Sequence, residues 1–216
     1  MPPRFKVCCI QSIAEARLAI AHGASALGLV SAMPSGPGVL EEDQIRAIAT
    51  SVPPPIATFL LTSLTDASLL IEQARYCACS TLQLCNRTTA DTRLRIRKHA
   101  PAIRIVQVVH VTSPESLKEA REAEQGSDAL LLDSGRPTAE QQELGGTGRI
   151  HDWALSRKIV RAAQVPVFLA GGLNATNVKA AWQQVQPFAL DLCTSVRTQN
   201  ALDAAKLQAF VLALRA

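Results

Sequence analysis

The stretch Val165-Pro-Val-Phe-Leu-Ala-Gly-Gly-Leu-Asn174 reads as a short buried strand that passes through two glycines into a helix. An unbroken apolar run is typical of a parallel strand covered on both faces. Gly171 and Gly172 permit a positive φ and the close approach of a ligand to the backbone, and Asn174 is a favourable N-cap residue. The turn is therefore either a phosphate site, since free N–H groups at a helix start attract anions, or an ordinary connection.

The same alternation of strand and helix patterns extends along the chain in both directions. The predicted strands are 5–10, 26–30, 54–61, 81–85, 103–110, 129–132, 165–170 and 188–193. The predicted helices are 12–22, 41–50, 65–76, 90–99, one opened by Ser113-Pro114, 153–163, 174–185 and 201–214, with Ser12 and Asn174 as caps. Eight strand–helix units without a break in composition predict an α/β fold, a single (β/α)₈ TIM barrel domain over residues 1–216. A doubly wound open sheet is the alternative, although no Gly-x-Gly-x-x-Gly follows the first strand.

Composition excludes several classes of protein. The chain is 48% hydrophobic and 19% charged, which is typical of a globular domain. The net charge is only +4, and no aromatic residues interleave with the basic cluster of Arg93, Arg95, Arg97 and Lys98, so we expect no nucleic-acid partner. No apolar run approaches the roughly 20 residues of a membrane span, and no signal-peptide pattern follows Met1. We therefore expect a cytoplasmic protein without a membrane partner, whose six cysteines are reduced thiols.

Candidate catalytic residues stand at the predicted strand ends, where barrel active sites lie. Asp133 follows three leucines, and a carboxyl group at the mouth of an apolar strand can keep its proton and act as a general acid. The alternative for Asp133 is a loop-capping role. Cys8 is a candidate general base if its pKa is lowered, for instance by Lys6 or a helix N-terminus; otherwise it is a buried apolar residue.

Three glycine- or hydroxyl-bearing segments predict a phosphate site. Barrel enzymes often hold phosphate with the loops after strands seven and eight, which here carry Gly171-Gly172 and Thr194-Ser195. The loop before the helix at 153–163 contains Gly145-Gly-Thr-Gly148, whose backbone N–H groups suit the same anion.

At these residues the chain resembles the phosphoribosylanthranilate isomerases, (β/α)₈ enzymes of tryptophan biosynthesis. The resemblance covers nearly the full length. It is strongest in Lys6-Val-Cys8, Leu131-Leu-Asp133-Ser134, Gly145-Gly-Thr-Gly148 with Asp152-Trp153, and Leu169-Ala-Gly-Gly-Leu-Asn174. It implies an aldose–ketose isomerase that carries out the Amadori rearrangement of N-(5-phosphoribosyl)anthranilate to the 1-deoxyribulose phosphate.

The resemblance also implies residue roles. Cys8 is the general base and Asp133 the general acid. The phosphate-binding residues are Gly146, Thr147, Gly148, Gly171, Gly172, Thr194 and Ser195. No metal and no organic cofactor are implied, the ligand is a phosphorylated small molecule, and we expect a monomer or a homodimer.

The first half of the chain departs from the family pattern. Cys8-Cys-Ile-Gln11 replaces Cys-Gly-Ile-Thr, Gln83-Leu-Cys-Asn86 replaces Gln-Leu-His-Gly, and Ser195-Val-Arg197 replaces Gly-Val-Glu. The loop after strand two lacks the family's Ser-Pro-Arg, whose Arg faces the anthranilate carboxylate, and has no Arg between Ser31 and Leu40. Arg197 and Arg136 are candidate replacements.

Three alternatives stay open at this point. A paralogous barrel enzyme that acts on another phosphorylated sugar compound would explain the lost Arg. A thiolate metal site would use Cys8 or Cys9, Cys85, Cys193 and His110 to bind Zn²⁺. A non-catalytic protein that binds a phosphorylated ligand would need the glycine loops alone.

Overall fold

The computed structural model describes residues 3–34, 36–137, 142–143 and 151–216, and eight parallel strands in it form a closed barrel. The strands are β1 Arg4–Val7, β2 Ala26–Val30, β3 Ala57–Thr62, β4 Thr81–Leu84, β5 Arg104–His110, β6 Ala129–Asp133, β7 Val167–Leu169 and β8 Ala189–Leu192. The ring closes between its first and last strands, with Arg4 beside Ala189 and Val7 beside Leu192. The predicted (β/α)₈ barrel is confirmed, and the open-sheet alternative is wrong.

Helices follow the strands and cover the outside of the barrel. They are α1 Ile13–Ala21, α2 Glu42–Ser51, α3 Ala67–Cys77, α4 Ala90–His99, α5 Ser116–Glu124, α6 Trp153–Ala162, α7 Val178–Val185 and α8 Ala204–Arg215. Short polar side chains begin several of them by accepting hydrogen bonds from the first free N–H groups. The Ser12 hydroxyl accepts from Glu15 N at 3.1 Å, as predicted, and Asp66 and Asp152 cap α3 and α6 in the same way.

Three helix starts were predicted too early. Asn174 does not cap α7, because its side-chain oxygen accepts from the N–H and hydroxyl of Thr176, at 2.9 and 2.6 Å, and closes a turn before the helix. The helix itself begins at Val178. α5 likewise begins after a turn at Ser113-Pro114, and α8 begins after Asp203, whose carboxylate accepts from Ala205 N and Lys206 N.

Successive side chains of each strand point alternately out of and into the barrel, so the strands lie between two apolar clusters, one against the helices and one inside the barrel. Outward side chains such as Leu60 and Leu132 pack against the helices, whereas Phe59 and Phe168 meet edge to face inside the barrel at 5.7 Å. Polar side chains are also buried on these strands, among them Lys6, Gln83 and Asp191. Buried polar groups are costly unless they find partners, so their presence in the barrel points to a chemical role.

Two short antiparallel pairs lie outside the barrel, Arg136–Pro137 with Gln142–Glu143 and Arg197–Thr198 with Ala201–Leu202. In the part of the chain that the structure describes, no helix has both the length and the apolar character of a membrane span.

Candidate active site

A cleft of about 760 Å³, including open space at its mouth, lies at the carboxyl ends of the strands. It brings together Cys8 and Asp133 with four residues of the expected phosphate site. Two further cysteines, Cys85 and Cys193, line the same cleft. The candidate residues from the sequence that line it are thus Cys8, Cys85, Asp133, Gly171, Gly172, Cys193, Thr194 and Ser195. The other expected phosphate ligands, Gly146, Thr147 and Gly148, lie outside the described residues.

Asp133 is the last residue of β6 and is only 7% exposed. Burial raises the pKa of its carboxyl group above the ordinary value, because the charged form loses hydration. The backbone N–H of Ser134 and the neighbouring His110 act in the opposite direction, and the charge of Cys8 raises the pKa further. The arrangement favours a carboxyl group that holds its proton in the cleft, which a general acid requires.

Cys8 follows β1 and is 6% exposed. Hydrogen bonds from Cys193 and Cys9 lower the pKa of its thiol well below the ordinary value, and the ammonium group of Lys6 acts in the same direction against the effect of burial. A thiol that ionises readily is suited to remove a proton.

Lys6 lies two residues before Cys8 and is completely buried. Its Nζ donates a hydrogen bond to Asp191 Oδ1 at 2.8 Å, and Asp191 also lines the cleft. The pKa of Asp191 is raised to about 7 by burial, and Lys6 partly offsets this rise. The pKa of Lys6 is raised by Asp191 and Cys8, although burial alone would lower it. The pair is therefore ionised above pH 7, with the ammonium also facing the thiol.

Gly28 on β2 provides the space in which Lys6 and Cys8 meet. A Cβ atom at this position would lie 2.9 Å from Cys8 Sγ and 3.0 Å from Lys6 Nζ. Any larger residue would displace one of the two groups, so the glycine is needed for their proximity.

The opposite wall carries Gly171, Gly172 and Ser195. Gly171 and Gly172 have φ values of +82° and +64°, in the left-handed region that favours glycine. A side chain at Gly171 would also meet Ser134 Oγ at 2.9 Å and His151 Nδ1 at 3.0 Å. The buried hydroxyl of Ser195 finds no hydrogen-bond partner among the described residues and lines the cleft. Such a group is a ready donor for a ligand.

The remaining lining is mostly apolar, with Val30, Met33, Pro37 and Leu61 on the side of β2 and β3. Gln83 stands among them, 4% exposed, and its side-chain oxygen has no partner within the described ranges. This wall can accept a flat apolar group and offers one neutral polar side chain to it.

Arg197 does not face this cleft. Its guanidinium binds the carboxylate of Glu15, with Nη2 3.1 Å from Oε2, and donates to the backbone carbonyls of Cys8 and Cys9. Arg197 therefore holds the backbone of the candidate base and is not the replacement for the missing Arg. The side chain of Arg136 lies outside what the structure describes.

The candidate ligands of the alternative metal site share the cleft but do not surround a common point. Within the described ranges, no group of three or more His, Cys, Asp or Glu side chains is arranged to hold a metal ion. The Cys85 thiol and the His110 ring instead contact the backbone oxygens of Gln83 and Cys85, at 3.7 and 3.3 Å.

Comparison with known proteins decides the family. A profile of the N-(5'-phosphoribosyl)anthranilate (PRA) isomerases matches residues 5–213. The chain belongs to the PRA isomerase family. It is 33% identical over 221 residues to the N-(5'-phosphoribosyl)anthranilate isomerase of Methanosarcina acetivorans, which covers 96% of this chain and 91% of that one.

Solved structures of PRA isomerases share the fold. The enzyme from Thermotoga maritima superposes with a TM-score of 0.85 at 23% identity, covering 99% of this chain and 98% of that one. A PRA isomerase bound to reduced 1-(o-carboxyphenylamino)-1-deoxyribulose 5-phosphate superposes with a TM-score of 0.79 at 22% identity, covering 99% of this chain and 98% of that chain.

Sequence reasoning missed the cleft-lining residues Gln83 and Asp191 and gave Lys6 only a passing role. A signal for all three was present, since Lys6, Gln83 and Asp191 each stand two residues before a cleft cysteine, namely Cys8, Cys85 and Cys193. The period-2 alternation of strands places such residues on one face.

Proposed function

We propose that this chain is a PRA isomerase in which Cys8 is the general base and Asp133 the general acid. The observation that carries the proposal is the opposite tuning of two groups in one cleft. The thiol is biased toward its ionised form, and the carboxyl group toward its protonated form. Pairs of titratable groups whose environments push their pKa values apart are typical of acid–base catalysis.

The reaction follows from these two protonation states. Asp133 donates its proton to the furanose ring oxygen, the bond between that oxygen and C1 breaks, and the nitrogen lone pair forms a C1 iminium. The Cys8 thiolate then removes the proton from C2, and the electron pair of that bond neutralises the iminium. The resulting enolamine becomes the C2 ketone when C1 gains a proton and the C2 hydroxyl group loses one. The enzyme is thus an aldose–ketose isomerase, and the rearrangement is a step of tryptophan biosynthesis.

The phosphate is proposed to lie on the wall formed by Gly171, Gly172, Thr194 and Ser195. Two observations support this placement: the positive φ values of the two glycines, and the hydroxyl of Ser195, which has no partner among the residues that the structure describes. Gly146, Thr147 and Gly148 are proposed to complete the site.

The anthranilate ring is proposed to pack against Met33 and Pro37, on the wall that lies away from the phosphate. The described lining of the cleft contains no Lys or Arg side chain. The anthranilate carboxylate is therefore proposed to meet Gln83 or a group outside the described residues. Arg136 is the candidate among the latter.

We further propose a single domain that acts in the cytoplasm as a monomer or a homodimer. The Thermotoga maritima relative is described as a dimeric enzyme from which monomers were generated. A reducing compartment suits a catalytic thiol, since the thiolate is the reactive form.

The test is a fluorescence assay for loss of phosphoribosylanthranilate with the purified, reduced protein. We expect kcat/KM of about 10⁴ M⁻¹s⁻¹ or above, in the ordinary range for enzymes. Asp133→Asn and Cys8→Ala should each lower kcat by roughly 10²–10⁴ with an unchanged circular dichroism spectrum. Undetectable turnover by the folded wild type would refute the substrate, and near-native turnover of both variants would refute the mechanism.

A further inference from the structure

Two thiols at the mouth of the barrel have no part in the reaction as described. Cys9 Sγ lies 3.8 Å from Cys8 Sγ and 2.8 Å from Cys193 Sγ. Cys9 follows β1 and Cys193 follows β8, and both line the active-site cleft. Together with Cys8 they form a thiol cluster at the seam where the barrel closes.

The backbone of Cys9 shows that its thiol is held in place against a steric cost. Its φ is +61°, in the left-handed region, where the Cβ atom of a residue other than glycine meets the backbone at a steric cost. A glycine at this position, as in the pattern that the chain resembles, would avoid the cost. Such conformations persist only where the surroundings enforce them, often at active sites.

The loop after β2 is shaped around the same side chain. Gly38 approaches so closely that a Cβ atom there would lie 2.7 Å from Cys9 Cβ. On its other side, the carbonyl of Cys9 accepts from the guanidinium of Arg197. Two elements distant in sequence thus fix the direction of the Cys9 thiol toward Cys8 and Cys193.

We propose that Cys9 and Cys193 are positioning residues that maintain the base in its active form. The Cys9 thiol donates a hydrogen bond to the Cys8 thiolate at 3.8 Å, and the Cys193 thiol, 2.8 Å from Cys9 Sγ, donates to Cys9 and holds it in that direction. This inference rests on the proposed role of Cys8. The protonation states are consistent with it, because the same contacts raise the pKa of Cys9 and the pKa of Cys193. Both neighbours keep their protons in the range where Cys8 loses its own.

Other groups also act on Cys8 and must be separated from the two thiols. The titratable side chains that act on its thiol from the surrounding strands are Lys6, Cys85, Asp133 and Asp191. The guanidinium of Arg197 lies against the backbone carbonyl of Cys8. Among the side chains that act on the thiol itself, Lys6 is the one cation, so its contribution is the main alternative explanation for a reactive Cys8.

The experiment is a pH titration of thiolate absorbance at 240 nm on the reduced, substrate-free protein, with Cys8→Ser used to identify the step that belongs to Cys8. Cys9→Gly and Cys193→Ala each remove a donor, and Cys9→Gly also removes the backbone strain. Each change should move the titration midpoint of Cys8 upward by about one pH unit. This shift corresponds to the weaker hydrogen bonds to charged groups, because a thiol is a weak donor. Cys193→Ser keeps a donor and should restore the titration to within a few tenths of a unit. Cys79→Ala removes a buried thiol two residues before β4 and serves as the matched control.

The acidic limb of kcat/KM should move in parallel with the titration. The inference is overturned if Cys8 in the wild type titrates as an ordinary thiol, or if its step is unchanged in both Cys9→Gly and Cys193→Ala. It is also overturned if mass spectrometry finds a Cys9–Cys193 disulfide in the wild type that persists under the reducing conditions of the titration, because neither residue then has a thiol proton to donate. An active Cys8→Ala enzyme would instead remove the proposed function, while the titration would still report on the thiol cluster.

Discussion

Replacing Lys6 by methionine removes an ammonium group from the barrel interior and leaves Asp191 without its partner. Both side chains of the pair are buried, with 0% and 7% exposed. Removing one member of a buried ion pair typically costs about 3–5 kcal/mol, because the remaining charge is uncompensated. Asp191 has an escape, however, because burial already raises its pKa to about 7 in the presence of Lys6. In the variant it should stay protonated well above pH 7.

The cost must therefore grow with pH. Above pH 7 the Asp191 carboxyl group is ionised in the folded wild type and in both unfolded chains, but it remains protonated in the folded variant. Each pH unit then removes about 1.4 kcal/mol from the stability of the variant and leaves that of the wild type unchanged by this group. We expect a destabilisation of about 1–2 kcal/mol at pH 7 that rises to about 3–5 kcal/mol at pH 9.

Urea denaturation under reducing conditions at the two pH values measures this difference. The double variant Lys6→Met/Asp191→Leu should recover most of the loss at pH 9, since no charge remains buried. Equal destabilisation at pH 7 and pH 9, or a double variant no more stable than the single one, would refute the reasoning.

Three further predictions concern the cleft and its support. The pKa of Cys8 is lowered and the pKa of Asp133 is raised, so kcat/KM should fall as the pH drops through the pKa of Cys8 and as the pH rises through the pKa of Asp133. His110→Gln should move the alkaline limb upward, because His110 lowers the pKa of Asp133. A pH-independent kcat/KM would contradict both roles. Ser195→Ala should raise KM and the inhibition constant of inorganic phosphate about tenfold at similar kcat, the scale of a charge-assisted hydrogen bond, and unchanged constants would place the phosphate elsewhere. Burial lowers the pKa of His151 to about 4, so the folded state resists its protonation and stability should fall as pH drops from about 6.5 to about 4. His151→Gln should reduce this acid sensitivity by about 1–2 kcal/mol in urea titrations, less than the full shift implies because the ring is partly exposed; an identical pH dependence in the two proteins would argue against the shift.

The barrel was predictable because its signal is repeated. Eight apolar segments each read as a strand, and one misplaced boundary does not change their number or order. Helix starts were less predictable. Asn174 is a residue type that caps helices, but its carboxamide oxygen accepts a hydrogen bond from Thr176 N in the turn before α7. The local sequence does not determine which of several nearby N–H groups a short polar side chain binds.

The site was predictable only where one residue implies its own chemistry. Asp133 after an apolar strand and two glycines after another could be singled out alone. The role of Arg197 could not, because its partner Glu15 lies on α1, at the other end of the chain. The left-handed backbone of Cys9 could not be predicted either, since the groups packed against it, Gly38 and Arg197, are distant in sequence.

The ion pairs around the first strand also bear on how the protein is made. Lys6 and Asp191 are separated by 185 positions, and Glu15 and Arg197 by 182. A ribosome completes the first member of each pair long before the second exists, so the growing chain carries Lys6 without its counter-ion until the last strand is synthesised. The environment of the Cys8 thiol is therefore assembled only once β8 has been synthesised. A nascent chain that stops before β8 has seven of the eight barrel strands but lacks the groups that surround this thiol.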